Sequence, residues 1–165
     1  MKRWLALLLT VVLVCMSCTA LAAEASYAPT KDFLAALDEE DIKYFYKGID
    51  KDDDEVVSIE NTSSVYGDAT FYFYFDEDEV NLTARVWNVI TFDEADRDAV
   101  IEACNKLNAD YRFTRFYVAE DDNSVTMAYD AYLSKRSPGD ICVNIVYAMH
   151  NILEAGWPEL KGLDK

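Results

Sequence analysis

Residues 69–75 read Ala-Thr-Phe-Tyr-Phe-Tyr-Phe, and this period of two constrains the fold more than any other feature of the chain. Successive side chains on an extended backbone point to opposite faces, so Phe71, Phe73 and Phe75 share one side and Tyr72 and Tyr74 the other. A helix would scatter the three phenylalanines around its circumference. The segment therefore predicts a strand whose phenylalanine face must be sealed by other elements. After the acidic turn Asp76-Glu77-Asp78, residues 80–89 repeat the alternation. Val80, Leu82, Ala84 and Val86 form one face, and Asn81, Thr83, Arg85 and Trp87 the other.

Four more strands are predicted around this pair. Residues 42–49 carry Tyr44, Phe45 and Tyr46 and stop near Gly48. The charged run Asp50-Lys51-Asp52-Asp53-Asp54 turns the chain into residues 55–62, where Val57 and Ile59 alternate. Residues 112–119 and 124–133 form a later pair around Asp121-Asp122-Asn123, with Val125, Met127, Tyr129, Ala131 and Leu133 on one face. Three helices complete the set. The first starts at Thr30 and shows Phe33, Leu34 and Leu37. The second follows Phe92-Asp93-Glu94 and shows Val100, Ile101, Cys104, Leu107 and Asn108. The third opens at Ser137-Pro138-Gly139-Asp140 and shows Ile141, Cys142, Ile145, Met149 and Ile152. Gly156-Trp157-Pro158 reads as its stop. The predicted class is α+β: a mainly antiparallel sheet of about six strands, helices on one face, in the order α-β-β-β-β-α-β-β-α.

The N-terminus reads as a secretory leader. Lys2 and Arg3 precede an apolar run over residues 4–14, and Ala20-Leu21-Ala22 fits cleavage after Ala22. The run is too short for a comfortable bilayer span, so no stable membrane span is expected after cleavage. Ser17-Cys18 leaves a lipoprotein reading, lipidated at Cys18, as the minor alternative. The expected organisation is a leader at 1–22, a flexible tether at 23–29, one domain at 30–157 and a tail at 158–165. Fifteen basic against 31 acidic residues give a net charge of -16 over the 165 residues. Such a balance speaks against nucleic-acid binding; it would attract a basic partner, while a generic solubilising charge is the simpler reading. Cys104 and Cys142 would remain after cleavage, and an exported chain could hold them as a disulfide or as buried free thiols.

No nucleophile, metal-binding or phosphate-binding motif is present, so the reading is non-enzymatic, with no metal and no cofactor. The lone His150 lies beside the apolar stripe of the last helix and reads as a boundary residue. Asp50, Asp52 and Asp54 imitate the start of a calcium loop, but Glu55 stands where its glycine belongs and Asn61 where its bidentate glutamate belongs; a solvated turn is the better reading. The sequons at Asn61 and Asn81 read as ordinary strand positions. Tyr72, Tyr74 and Trp87 lie opposite the greasy face; left uncovered, such an aromatic face marks a binding or dimer surface, and the alternative is that the N-terminal helix or the tail covers it, or that this is the inward face.

Between residues 101 and 153 the chain carries Cys104-Asn105-Lys106-Leu107-Asn108 at a helix end, the aromatic strand Phe113-Thr114-Arg115-Phe116-Tyr117, the Asp121-Asp122-Asn123 turn, a long strand and a closing helix. This succession resembles the YbjN-type domain, a bacterial family described as a sensory-transduction regulator. The resemblance extends over residues 30–157. It implies a fold like that of type III secretion chaperones, with binding of protein segments rather than chemistry, and it supplies no catalytic residue. The leading expectation is an exported domain that binds a polypeptide, with a basic one as the case the charge suggests, through a sheet face made by Tyr72, Tyr74 and Trp87. A homodimer is a further possibility. The alternative is a small-ligand-binding or enzymatic α+β domain with a pocket between sheet and helices.

Overall fold

The computed structural model describes residues 24–119, 122–133 and 136–165. The expected leader, the expected cleavage after Ala22 and the alternative lipidation at Cys18 all fall outside the described residues. Among the described residues, three helices, α1 (Ala28–Glu39), α2 (Arg97–Asp110) and α3 (Pro138–Leu160), accompany six strands. These are β1 (Phe45–Ile49), β2 (Glu55–Ser63), β3 (Gly67–Phe75), β4 (Asn81–Thr91), β5 (Thr114–Val118) and β6 (Ser124–Tyr132). They form one antiparallel sheet in the order β1-β2-β3-β4-β6-β5. The α+β class and the α-β-β-β-β-α-β-β-α order follow the sequence expectation. The first four strands are a meander. The chain then crosses through α2, lays down β5 at the far edge and returns as β6 between β5 and β4.

The period of two dictates which face is sealed. Phe71, Phe73 and Phe75 are fully buried and lie opposite Ile59, Val57 and Glu55 on one side and Val86, Ala84 and Leu82 on the other. Phe33 of α1 stacks onto this face, its ring centroid 4.9 Å from Phe73 and 5.6 Å from Phe75. Met127 of β6 and Phe116 of β5 extend the same layer, and Leu107 of α2 with Cys142, Met149 and Leu153 of α3 close it. Each fully buried Phe or Leu contributes roughly 1.5–3 kcal/mol of transfer free energy.

Two glycines set how closely the helices approach. A side chain on Gly139 would collide with the backbone carbonyl of Asp32, so α1 and α3 touch only because that position is bare. At Gly156 a Cβ would stand 3.0 Å from Leu107 Cδ2. Gly156 is thus a packing residue inside α3 and not its stop. The helix continues through Pro158 to the fully buried Leu160.

The two ends of the domain differ from expectation. The expected tail at 158–165 is docked: Lys165 N–H donates to the Thr91 carbonyl at 2.9 Å, and Thr91 N–H donates to Asp164 Oδ1 at 3.1 Å. The expected tether is held too, from Ala25 onward. Ala25 is buried, and the amides of Ser26 and Tyr27 (3.1 Å) both donate to the Glu55 carboxylate. Tyr46 Oη donates to the same group at 2.9 Å. Burial raises the pKa of Glu55, but the Ser26, Tyr46 and Tyr27 donors outweigh it and leave the pKa lowered. Burial and the Glu55 carboxylate together push Tyr46 up to about 12.

Strand β1 begins at Phe45, three residues later than expected, because α1 closes with a left-handed cap. Asp41 has φ 55°, Ile42 N–H bonds the Leu37 carbonyl at 2.9 Å and Asp41 N–H bonds that of Asp38 at 3.3 Å. At the other edge, Asn108 performs a strand's task from a helix. Its side-chain oxygen accepts from Phe116 N–H at 2.7 Å, and its amide donates to the Phe116 carbonyl at 2.9 Å. The asparagine-bearing end of α2 is thereby stitched to β5.

Candidate functional site

The helices cover one side of the sheet, and the opposite side presents the residues singled out by alternation. Tyr72 and Tyr74 are half-buried and stack with ring centroids 6.3 Å apart at 27°. Trp87 is 45% exposed and donates its indole N–H to Tyr74 Oη at 3.3 Å. The three residues therefore form one connected aromatic group. Beneath them the central strands carry small buried residues on this face, Ser58 on β2 and Thr126 and Ala128 on β6. Flanking large side chains shield those positions, with no helix among the described residues above them.

An ionic group adjoins the aromatics. Arg85 lies directly across from Tyr72 on one side and Ala128 on the other. Its guanidinium donates to Asp130 Oδ1 at 2.7 Å, and Arg115 of β5 pairs with the other oxygen of the same carboxylate. Two arginines thus share one aspartate, leaving local positive charge on a strongly acidic protein. Alternation put Arg85 on this face. Its meeting with Asp130 and Arg115 required knowing that β6 slots between β4 and β5, which sequence reasoning did not supply. The register also places Phe45, Tyr117 and Tyr132 on this side, all of them exposed.

At one end of the sheet the β3–β4 ladder stops. The last pair is Phe71 with Val86. Beyond it β4 bulges, with Asn88 at φ 54°, before it rejoins β6 at Ile90. The strands splay and open a cleft of about 560 Å³, lined by Glu60, Tyr66, Asp68, Tyr72, Trp87 and Trp157 among others. Sequence reasoning missed this feature. A lone Asn in the middle of a strand, a residue that tolerates positive φ, is the signal that could have found it.

Behind the cleft, His150 ties α3 to the β2–β3 hairpin. Its Nδ1 lies 2.8 Å from Tyr66 Oη and 3.1 Å from the Asn61 amide nitrogen. Its Nε2 lies 3.6 Å from Glu154 Oε1. The Ser63 hydroxyl donates to Glu154 and not to the imidazole, so no nucleophile–base pair is assembled. Burial and the nearby Glu154 push Tyr66 up to about 12. His150 is partly exposed at the helix–hairpin boundary.

Cys104 and Cys142 are both buried free thiols, so the possible disulfide between them is not formed. Burial pushes Cys104 up to about 11 and Cys142 up to about 12, where thiols are inert at neutral pH. The run from Asp50 to Asp54 is the β1–β2 turn. Asp50 Oδ1 accepts from the amides of Asp52 at 2.9 Å and Asp54 at 3.2 Å, which commits it to holding its own loop. Among the described residues no helix is long and apolar enough to cross a membrane.

Comparisons with known proteins agree with this architecture. No curated protein matches the sequence. The crystal structure of YbjN from E. coli, described as "a putative transcription regulator", superposes with a TM-score of 0.53 at 13% identity. That match covers 83% of this chain and 96% of the other, and at such identity it speaks for the fold alone. The YbjN family model, described as "Putative bacterial sensory transduction regulator", matches residues 31–145. With most of the sequence inside that match, the chain belongs to the YbjN family.

Proposed function

We propose that this chain is an exported, non-enzymatic regulatory domain that binds a polypeptide partner on the open side of its sheet. The observation that carries the reading is the connected aromatic group of Tyr72, Tyr74 and Trp87 on the side that no helix among the described residues covers. Aromatic residues and arginine are the side chains enriched at protein interfaces, and Arg85 and Arg115 flank the group. A net charge of -16 favours a partner with basic segments and speeds its encounter. The family's description as a regulator is in keeping with action by binding. Export rests on the basic Lys2-Arg3, the apolar run behind it and the small residues ending at Ala22.

The test compares the wild-type protein with the Tyr72→Ser/Tyr74→Ser/Trp87→Ser variant, recovered after secretion from a bacterial host. Mass spectrometry is expected to find the mature chain starting at Ala23; a lipid adduct on Cys18 would replace soluble export with anchoring. Cross-linking and sedimentation at several concentrations then read partner capture and self-association. The variant is expected to keep its fold and lose capture. If it unfolds with no separate change in association, the face belongs to the stability of the domain and the binding reading is lost. Concentration-dependent dimers abolished by the triple substitution would make a second copy of the chain the occupant.

A further inference from the structure

We propose that the cleft between the splayed ends of β3 and β4 receives an arginine side chain carried on an extended polypeptide; the proposal rests on the polypeptide-binding reading and names the chemistry of its anchor. Three independent features of the cleft converge on this occupant.

Its walls are aromatic. Tyr66, Tyr72, Trp87 and Trp157 all line it, and Trp87 turns nearly half of its surface to solvent. Planar guanidinium groups stack on such faces better than ammonium groups do. Its lip is acidic. Glu60 and Asp68 contribute carboxylates, and among the described residues no lysine, arginine or histidine lines it. Glu60 is exposed and makes no hydrogen bond or ion pair among the described residues, while Asp68 uses one oxygen to accept from the Thr62 hydroxyl at 2.7 Å. A carboxylate free on both oxygens is the acceptor that a forked guanidinium matches. Its sides are strand edges. Beyond the Phe71–Val86 pair no backbone bond joins β3 to β4, so an extended segment entering the gap meets main-chain groups that the ladder leaves unused. The volume of about 560 Å³ falls within the usual ~300–1,000 Å³ range of binding clefts.

The two tryptophans in the cleft report on it directly. The ¹⁵N-labelled protein is titrated with a blocked pentapeptide holding arginine at its centre between valines and threonines, and with the same peptide carrying citrulline, the neutral isostere. The indole N–H signals of Trp87 and Trp157 are assigned by Trp→Phe variants. The arginine peptide is expected to shift both indoles saturably, with the citrulline peptide at least about tenfold weaker. Glu60→Gln is expected to weaken the arginine peptide by about three- to tenfold without altering the melting temperature, since Glu60 is exposed. Equal binding of the two peptides, or indole signals that stay still, overturns the proposal. Arginine-peptide shifts confined to Arg85 and Tyr74 would overturn the cleft while leaving the open-face reading standing. Arginine amide alone binding as tightly as the pentapeptide would overturn the extended-polypeptide occupant.

Discussion

Glu55 is a buried carboxylate in a domain held together mostly by phenylalanine, and replacing it by glutamine gives the sharpest test of how the N-terminal segment is fastened. One carboxylate oxygen accepts from the Ser26 amide and Tyr46 Oη, and the other from the Tyr27 amide. Glu55→Gln preserves shape but turns one of these acceptors into an NH₂ donor that faces another donor. Hydrogen bonds to a charged group contribute roughly 1.5–3 kcal/mol each. Only some of that is lost, because Ser26 and Tyr27 are part-buried and water can reach their amides. A loss of about 3 kcal/mol follows, or a melting temperature lower by roughly 10 °C for a domain of this size. The pH dependence supplies the second half of the test. The donors hold the folded pKa of Glu55 below its ordinary 4.5. Its contribution is therefore fully present at neutral pH and fades as pH falls through the folded value. Glutamine imitates the protonated acid, so wild type and variant should converge in acid. Thermal melts followed by circular dichroism near neutrality and down through the acid range below the ordinary carboxylate value read both effects. A variant within about 0.5 kcal/mol of wild type near neutrality, or a gap that persists unchanged in acid, would refute the reasoning.

Gly139→Ala is expected to destabilise the domain by about 2 kcal/mol or more in urea unfolding, because the obstacle is the backbone of Asp32 and not a movable side chain. Asp41→Gly should stabilise it by about 0.5–1 kcal/mol in the same assay, since glycine adopts the left-handed cap without strain. Ellman titration in denaturant without reductant should count both Cys104 and Cys142, whereas the native protein should react slowly because burial holds both thiols far above neutral pH; a denatured count without them would mean that they pair.

The strands were legible because their signal is local. Phe71, Phe73 and Phe75 had only one way to share a face, and Leu82, Ala84 and Val86 had to join them across a tight acidic turn. The same alternation put Tyr72, Tyr74 and Trp87 together before any coordinates. What stayed hidden was decided by distant partners. Gly156 and Pro158 look like punctuation in the sequence, yet Leu107 on another helix and the burial of Leu160 carry α3 through them. Glu55 looks like the last acid of a charged turn, and only the N-terminal segment lying over it reveals a clamp. The Arg85–Asp130–Arg115 group depends on strand order, and no property of the individual strands specifies that order. The cleft depends on a bulge at Asn88, where one backbone angle outweighs the pattern around it.

The place of β6 in the sheet also bears on how the chain must be made. Strands β1 to β4 are neighbours in sequence and can pair by local hairpins, which leaves the rim of β4 unclaimed until a distant segment joins it. That rim carries Leu82, Ala84 and Val86, and its rightful neighbour β6 arrives only when the later hairpin has swung in alongside. Until then the half-built sheet is sticky along its longest strand. Holding partly folded copies apart through that interval is a service that their shared negative charge renders before folding is complete.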